Sequence, residues 1–159
     1  MKYLLLLLAL VFIAGCVGSQ MSSQIEAGDQ IAVEYTGKLQ DGTVFDSSAG
    51  RAPLEFTAGA GQMIKGFDTA VIGMKQGEKK TVTLPPEEAY GMPDTANVFV
   101  LPLSNIPNGT KVGDALYATN GQSVVLIAVT NETATIDANH FLAGKTLIFD
   151  IEVVKITKK

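Results

Sequence analysis

Apolar and polar residues alternate from the start of the recognisable sheet. Ile31, Val33, Tyr35 and Leu39 stand against Ala32, Glu34, Thr36 and Lys38, the period of two expected of a half-buried strand. Asp41-Gly42 signals a turn, after which Thr43 to Asp46 returns extended and Ala52 to Phe56 forms another short strand. The period then changes. Ile64, Phe67, Ala70, Val71 and Met74 recur at three and four residues, which places one apolar stripe on a short helix. Gly73 falls where such a helix can end in a left-handed residue. Lys75 to Glu78 turns into a strand over Lys79 to Leu84, and Pro85-Pro86 stops it because proline cannot donate to the ladder. Glu87 to Gly91 reads as a tight helical turn or loop. At the far end Leu147, Phe149, Ile151 and Val153 face away from Asp150 and Glu152, a long strand with one apolar side. Antiparallel strands around one short amphipathic helix predict an α+β domain.

Between these parts lies a stretch of different character, residues 94–139. Strand-like runs occur at Val98 to Leu103, Ala115 to Thr119, Gln122 to Thr130 and Thr133 to Ile136. Asn108-Gly109 and Asn120-Gly121 are hairpin-type turn signals between them. The stretch carries few charges and exceeds the roughly 12–15 residues that a loop without its own structure reaches. It is expected to be an inserted small β subdomain.

The glycines before the helix invite a phosphate-binding reading, and their spacing rejects it. Gly61-x-x-x-x-Gly66 leads into Phe67-Asp68 rather than Lys-Ser/Thr, and Ile64 occupies the place of a third glycine after Gly59 and Gly61. They are expected instead to let the chain turn tightly into a helix that fills the sheet.

A chain of 159 residues with a formal charge of −4 and no Lys/Arg cluster excludes a nucleic-acid surface. One cysteine and one histidine exclude an internal disulfide and offer no cysteine- or histidine-based metal site; no metal and no cofactor is expected. The cysteine has a conspicuous place. Lys2 precedes an almost unbroken apolar run from Tyr3 to Ala14, too short for the roughly 20 residues of a membrane span but suited to a signal-peptide core. The run ends in Ile13-Ala14-Gly15-Cys16, which resembles the lipobox of prokaryotic lipoproteins. That resemblance implies cleavage before Cys16 and lipidation of its thiol. Residues 1–15 are then a lipoprotein signal peptide and 16–27 a flexible tether, and the working part lies outside the cytoplasm, anchored to a membrane of the cell envelope.

Several segments together resemble the FKBP-type peptidyl-prolyl cis-trans isomerases. They are Val33-Glu34-Tyr35-Thr36-Gly37-Lys38-Leu39, Asp41-Gly42-Thr43-Val44-Phe45-Asp46-Ser47-Ser48, Gly59 to Gly77, Pro85-x-x-x-Ala89-Tyr90-Gly91 and Leu147-Ile148-Phe149-Asp150-Ile151-Glu152. The insertion after Tyr90-Gly91, returning through Asn139-His140-x-Leu142-Ala143-Gly144-Lys145, is similar to the SlyD-like branch, where an insert-in-flap subdomain binds unfolded polypeptide. The resemblance implies an antiparallel half-barrel sheet wrapped around one short helix, with the isomerase domain in 28–93 and 140–159 and the insert in 94–139. It implies catalytic roles for Tyr35, Asp46, Tyr90 and Phe149, and a proline pocket lined by Phe45, Phe56, Met63, Ile64 and Phe67. Phe67 takes the floor position where many relatives carry tryptophan. The His- and Cys-rich metal-binding tail of some SlyD-like relatives has no counterpart before Lys159.

Such residues suit the chemistry. Rotation about an X–Pro bond is opposed by amide resonance, about 18–20 kcal/mol, and a catalyst needs only to bind the twisted amide more tightly than the planar forms. An apolar pocket disfavours the planar amide, whose dipole is larger. The Tyr90 hydroxyl could fix a substrate carbonyl, while Asp46 could accept from Tyr35, orient that carbonyl, or cap a turn before Ser47-Ser48. Taken singly, each aromatic on a strand reads as core, and His140 reads as a structural hydrogen-bonding residue. The expected partners are unfolded or proline-containing polypeptides, with the chain acting as a monomer. A membrane-tethered holdase with little turnover is the rival reading.

Overall fold

The computed structural model describes residues 24–159. The expected signal peptide, Cys16 and residues 17–23 lie outside the described residues. The main sheet is built on two long strands, β1 (Gln30–Leu39) and β9 (Leu147–Thr157), paired antiparallel along their length. On one side of β1 lie β2 (Val44–Ser47), against its second half, and β3 (Leu54–Thr57), against its first. On the other side of β9 lies β4 (Lys79–Leu84), giving five strands in all. Strand β9 keeps the alternation read from the sequence: Leu147, Phe149, Ile151 and Val153 are buried, and the residues between them are not. Strand β1 departs from it, because Ala32, expected on the polar face, is buried as well as Ile31 and Val33. A register shift at Ala32/Val33 against β9 breaks the strict inside–outside order at that point.

The helix α1 (Lys65–Val71) is shorter than the apolar stripe suggests. Ile64 caps its start, Ile72 is already extended, and Gly73 takes the left-handed conformation at φ 83°. The Gly73 N–H donates to the Ile25 carbonyl rather than back into the helix, and Met74 is buried beyond the helix end. Phe67 and Val71 enter the main core with Ile25, Val33, Phe56, Leu84, Leu142, Leu147, Phe149 and Ile151. Each such side chain contributes about 1.5–3 kcal/mol by leaving water. The glycine-rich approach to the helix is held by Asp68, a buried carboxylate whose two oxygens accept the N–H groups of Gly59 (2.7 Å) and Gly61 (2.9 Å).

The body begins earlier than the sequence suggests. Ile25, assigned there to the tether, is 1% exposed; its N–H donates to the Met74 carbonyl at 2.8 Å, and Gln24 bridges to Lys75. One isoleucine among polar residues offers no periodicity to read. Asp29 closes the two chain ends together. Its carboxylate, 1% exposed as a residue, accepts from the Glu26 N–H and from Lys158 Nζ, both at 2.8 Å, and Lys158 also donates to the Gln24 carbonyl at 2.7 Å.

The inserted residues form a second sheet with strand order β5-β8-β7-β6. Its strands are β5 (Val98–Pro102), β6 (Ala115–Tyr117), β7 (Ser123–Val129) and β8 (Thr133–Asp137). A small core of Val124, Leu126, Ala134 and Ile136, with Leu101, Leu103, Ile106 and Leu116 around it, is separate from the main one. Asn120-Gly121 makes the β6–β7 hairpin. Asn108-Gly109 does not make a hairpin: it turns within the connection between β5 and β6, which are not neighbours. At the base of the insert the Asn139 side chain accepts from the Asp94 N–H (2.9 Å) and donates to the Asp94 carbonyl (3.0 Å), clasping the outgoing and returning chains.

Lys158 is the main cause of the lowered Asp29 pKa, followed by the Glu26 N–H. A carboxylate depressed on folding stabilises above its unfolded value, about 3.9, and loses that contribution as pH falls through the folded one. Asp29→Asn should therefore lower the melting temperature at neutral pH, with the gap from wild type closing under acid. A gap that stays constant down to pH values well below the carboxylate range would show that the ion pair is not what stabilises the ends.

Candidate active site

Five aromatic rings meet on the concave side of the main sheet, each delivered by a different element. Phe67 comes from α1 and Phe149 from β9, and their rings meet edge-on at 5.2 Å. Tyr35 of β1 lies 6.0 Å from Phe67, and Phe56 of β3 lies 5.9 Å from it on another side. Phe45 of β2 meets Phe149 edge-on at 5.6 Å. These separations and angles are those that the quadrupoles of aromatic rings favour. Phe67, Phe56 and Phe149 are buried in the main core, whereas Tyr35, Phe45, Met63 and Ile64 are half-buried against it.

The placement of Phe45 comes from an irregularity in the pairing. Gly37 pairs with Asp46 and Lys38 with Val44, so Phe45 is the extra residue of a bulge in β2, a device that re-aims a side chain. Its ring lies across Gly37, where a β-carbon would stand 2.6 Å from Phe45 Cζ and 3.0 Å from Phe149 Cε1. Only glycine leaves that space. Gly37, unremarked among the candidate residues, is thus part of the site's construction; a glycine inside a strand pattern is the signal for it.

One side of the aromatic cluster carries a polar group of three residues. The Tyr35 hydroxyl donates to Asp46 Oδ2 at 2.5 Å, while Asp46 Oδ1 accepts from Arg51 at 2.7 Å and from the Ser47 N–H at 2.8 Å. Arg51 also donates to the Ser47 carbonyl. Of the roles open to Asp46, the structure shows it accepting from Tyr35 and capping the turn at Ser47. The Tyr35 hydroxyl, chiefly, and Arg51 hold the Asp46 carboxyl below the usual range against the opposing effect of burial. Burial first and Asp46 second raise the Tyr35 hydroxyl above it. The carboxylate is therefore charged and the phenol protonated at neutral pH. Arg51 lies only five residues after Asp46, but its return to the carboxylate depends on the turn after β2 and has no sequence signal of its own.

Tyr90 stands apart from the ring cluster. It follows a 3-10 turn at Pro86–Glu88, and the residue is 39% exposed. Its hydroxyl has no hydrogen-bond partner among the described residues, and burial first, then the negative charge of Asp46, raises its pKa. A protonated donor therefore stands within the field of Asp46. His140 lies flat against the Tyr90 ring, with centroids 3.8 Å apart and planes within 3°. Its Nδ1 accepts the Leu142 N–H at 3.2 Å, which meets the expectation of a structural hydrogen bond. The stacking could not be read from residues fifty positions apart.

The outer face of the same sheet is chemically different. A hollow of about 380 Å³ there is lined by Glu34, Thr36, Lys79, Thr81, Asp150 and Glu152. Tyr35, Ala49 and Ile151 line it too, but it carries two ion pairs, Lys79–Glu152 at 3.0 Å and Lys38–Asp150 at 2.6 Å, and none of the clustered phenylalanines. The concave aromatic side is the candidate site.

The family profile described as FKBP-type peptidyl-prolyl cis-trans isomerase matches residues 21–154. The chain is 33% identical over 138 residues to a probable FKBP-type 16 kDa peptidyl-prolyl cis-trans isomerase of Pseudomonas fluorescens, covering 84% of this chain and 92% of that one. It is 36% identical over 149 residues to a short-type peptidyl-prolyl cis-trans isomerase of Methanocaldococcus jannaschii, covering 84% and 94%. To the SlyD protein of Treponema pallidum it is 35% identical over 128 residues, covering 77% and 73%. Among solved structures, that of the three FKBP domains of wheat FKBP73 is similar with a TM-score of 0.52 and 27% identity, over 86% of this chain and 42% of the wheat chain. Its antiparallel sheet closed on one short helix, and its relatives across nearly its whole length, place the chain among the FKBP-type peptidyl-prolyl cis-trans isomerases.

Proposed function

We propose that this isomerase acts outside the cytoplasm, tethered to a membrane through a lipid on Cys16, and that its insert captures unfolded chains for the proline site. The observation that carries the reading is the pairing of two surfaces in one molecule. The aromatic cluster over Phe67 is apolar, and the Tyr90 phenol stands apart from it within the field of Asp46, the carboxylate at the cluster's edge. The second sheet and its β5–β6 connection expose Phe99, Val100, Val112, Tyr117, Ile127 and Val129, with Tyr117 78% exposed. Exposed apolar side chains in that number supply what a surface for unfolded chains needs.

In the proposed mechanism the proline ring enters against Phe45, Phe56, Met63, Ile64, Phe67 and Phe149. No bond to the enzyme forms or breaks. The pocket replaces water around the X–Pro amide, and this disfavours the planar, more polar ground states relative to the twisted one. Tyr35 and Arg51 together hold Asp46 at the pocket edge, so the Tyr35 proton is already engaged. The Tyr90 hydroxyl is the donor left for a substrate carbonyl, holding the chain on one side of the rotating bond. One such hydrogen bond is worth ~1 kcal/mol net.

Removing 94–139 should reduce catalysis in an unfolded proline-containing protein far more than in a short peptide; equal loss in both would end the division of labour between the two sheets. Tyr90→Phe should lower kcat/KM for a short peptide about fivefold, the equivalent of ~1 kcal/mol, and an unchanged value would remove Tyr90 from the mechanism. If turnover is absent in the wild-type chain while it still suppresses aggregation, the holdase reading replaces this one. Cys16→Ser should shift the protein from the membrane to the soluble fraction and abolish incorporation of labelled fatty acid; a variant that keeps both was never anchored at that thiol.

A further inference from the structure

Tyr90 is the proposed site residue with the least backbone support. It lies on no strand or helix, and it is more than a third exposed. His140 supplies what the backbone does not. Its imidazole covers one face of the phenol at 3.8 Å with the planes within 3°, a full overlap that leaves the ring little freedom to swing on that side.

The imidazole is itself well held. Nδ1 accepts the N–H of Leu142 at 3.2 Å, the His140 carbonyl accepts the N–H of Ala143 at 2.8 Å, and Leu142 is buried in the main core. The same loop reaches back to the tyrosine's own segment through the Gly144 N–H on the Gly91 carbonyl at 2.8 Å. Burial lowers the His140 pKa, so the ring is neutral near pH 7 and its Nδ1 lone pair is free to accept. The histidine is therefore anchored on the core side and presents a flat surface on the site side.

We propose that His140 is a positioning residue for Tyr90: stacked on the phenol, it holds the hydroxyl aimed at the bound X–Pro segment. The proposal rests on the role given to Tyr90 above. It also accounts for the site's reaching across the base of the insert, since His140 directly follows Asn139, the residue that clasps the two chains there.

Two substitutions in the full chain separate the stack from the loop. His140→Asn keeps a side-chain acceptor for an N–H two residues on and removes the ring; His140→Phe keeps a flat ring and removes the acceptor. With a short proline peptide, His140→Asn should lower kcat/KM by up to the loss seen in Tyr90→Phe, about fivefold, at an unchanged melting temperature. His140→Phe should restore activity close to wild type. On a Tyr90→Phe background, His140→Asn should cost nothing further. Wild-type activity in His140→Asn, equal impairment in His140→Phe, or a loss that persists in full without the Tyr90 hydroxyl would each overturn the proposal. A Tyr90→Phe variant with wild-type activity would instead overturn the reading of Tyr90 itself, a distinguishable result.

Discussion

The contact between Phe67 and Phe149 is where the structure is tied together. One ring belongs to the only α-helix among the described residues, the other to the longest strand, and they meet at 5.2 Å. Every other ring of the cluster touches at least one of them. Core and candidate site are thus not separate constructions. The side chains that exclude water to stabilise the sheet against the helix also present the apolar surface on which a proline could lie. A reaction that requires only selective binding of a twisted amide suits such an arrangement, because a rigid hydrophobic surface is enough to carry it.

The polar parts are arranged so that they do not compete with this surface. Tyr35, Asp46 and Arg51 satisfy one another at its edge, where the carboxylate stays half exposed. On the outer face Lys38 of β1 and Lys79 of β4 pair with Asp150 and Glu152 of β9, and Asp150 also accepts from Thr81. The Tyr90 phenol, by contrast, has no hydrogen-bond partner among the described residues. The chemistry of the site is defined as much by which donors are already engaged as by which residues are present.

Most of the main sheet was legible from alternation, because β9 is long and buried on one side only, and the helix was legible from its stripe. The site residues were legible only as an ordered set. Phe45 or Phe149 alone carries no sign of function, and their meeting depends on a bulge and a glycine on a third strand. Features that hinge on pairings between distant segments escaped. Ile25 enters the core through contacts with Gly73 and Met74, and His140 finds Tyr90 across the whole insert. Asn108-Gly109 misled for a related reason: a turn dipeptide reports local backbone preference, not which strands lie beside each other.

Asp68 gives the glycine-rich segment a meaning beyond flexibility. A loop with converging N–H groups is a place where an anion can settle, and here the chain supplies that anion itself. The carboxylate sits one residue after Phe67, while the loop it grips follows directly on the strand that carries Phe56. The segment therefore acts as a strut of set length between two of the site's phenylalanines. Insertions or deletions between Thr57 and Ile64 would change the width of the aromatic surface itself, so this short loop is closed to the length variation that surface loops ordinarily permit.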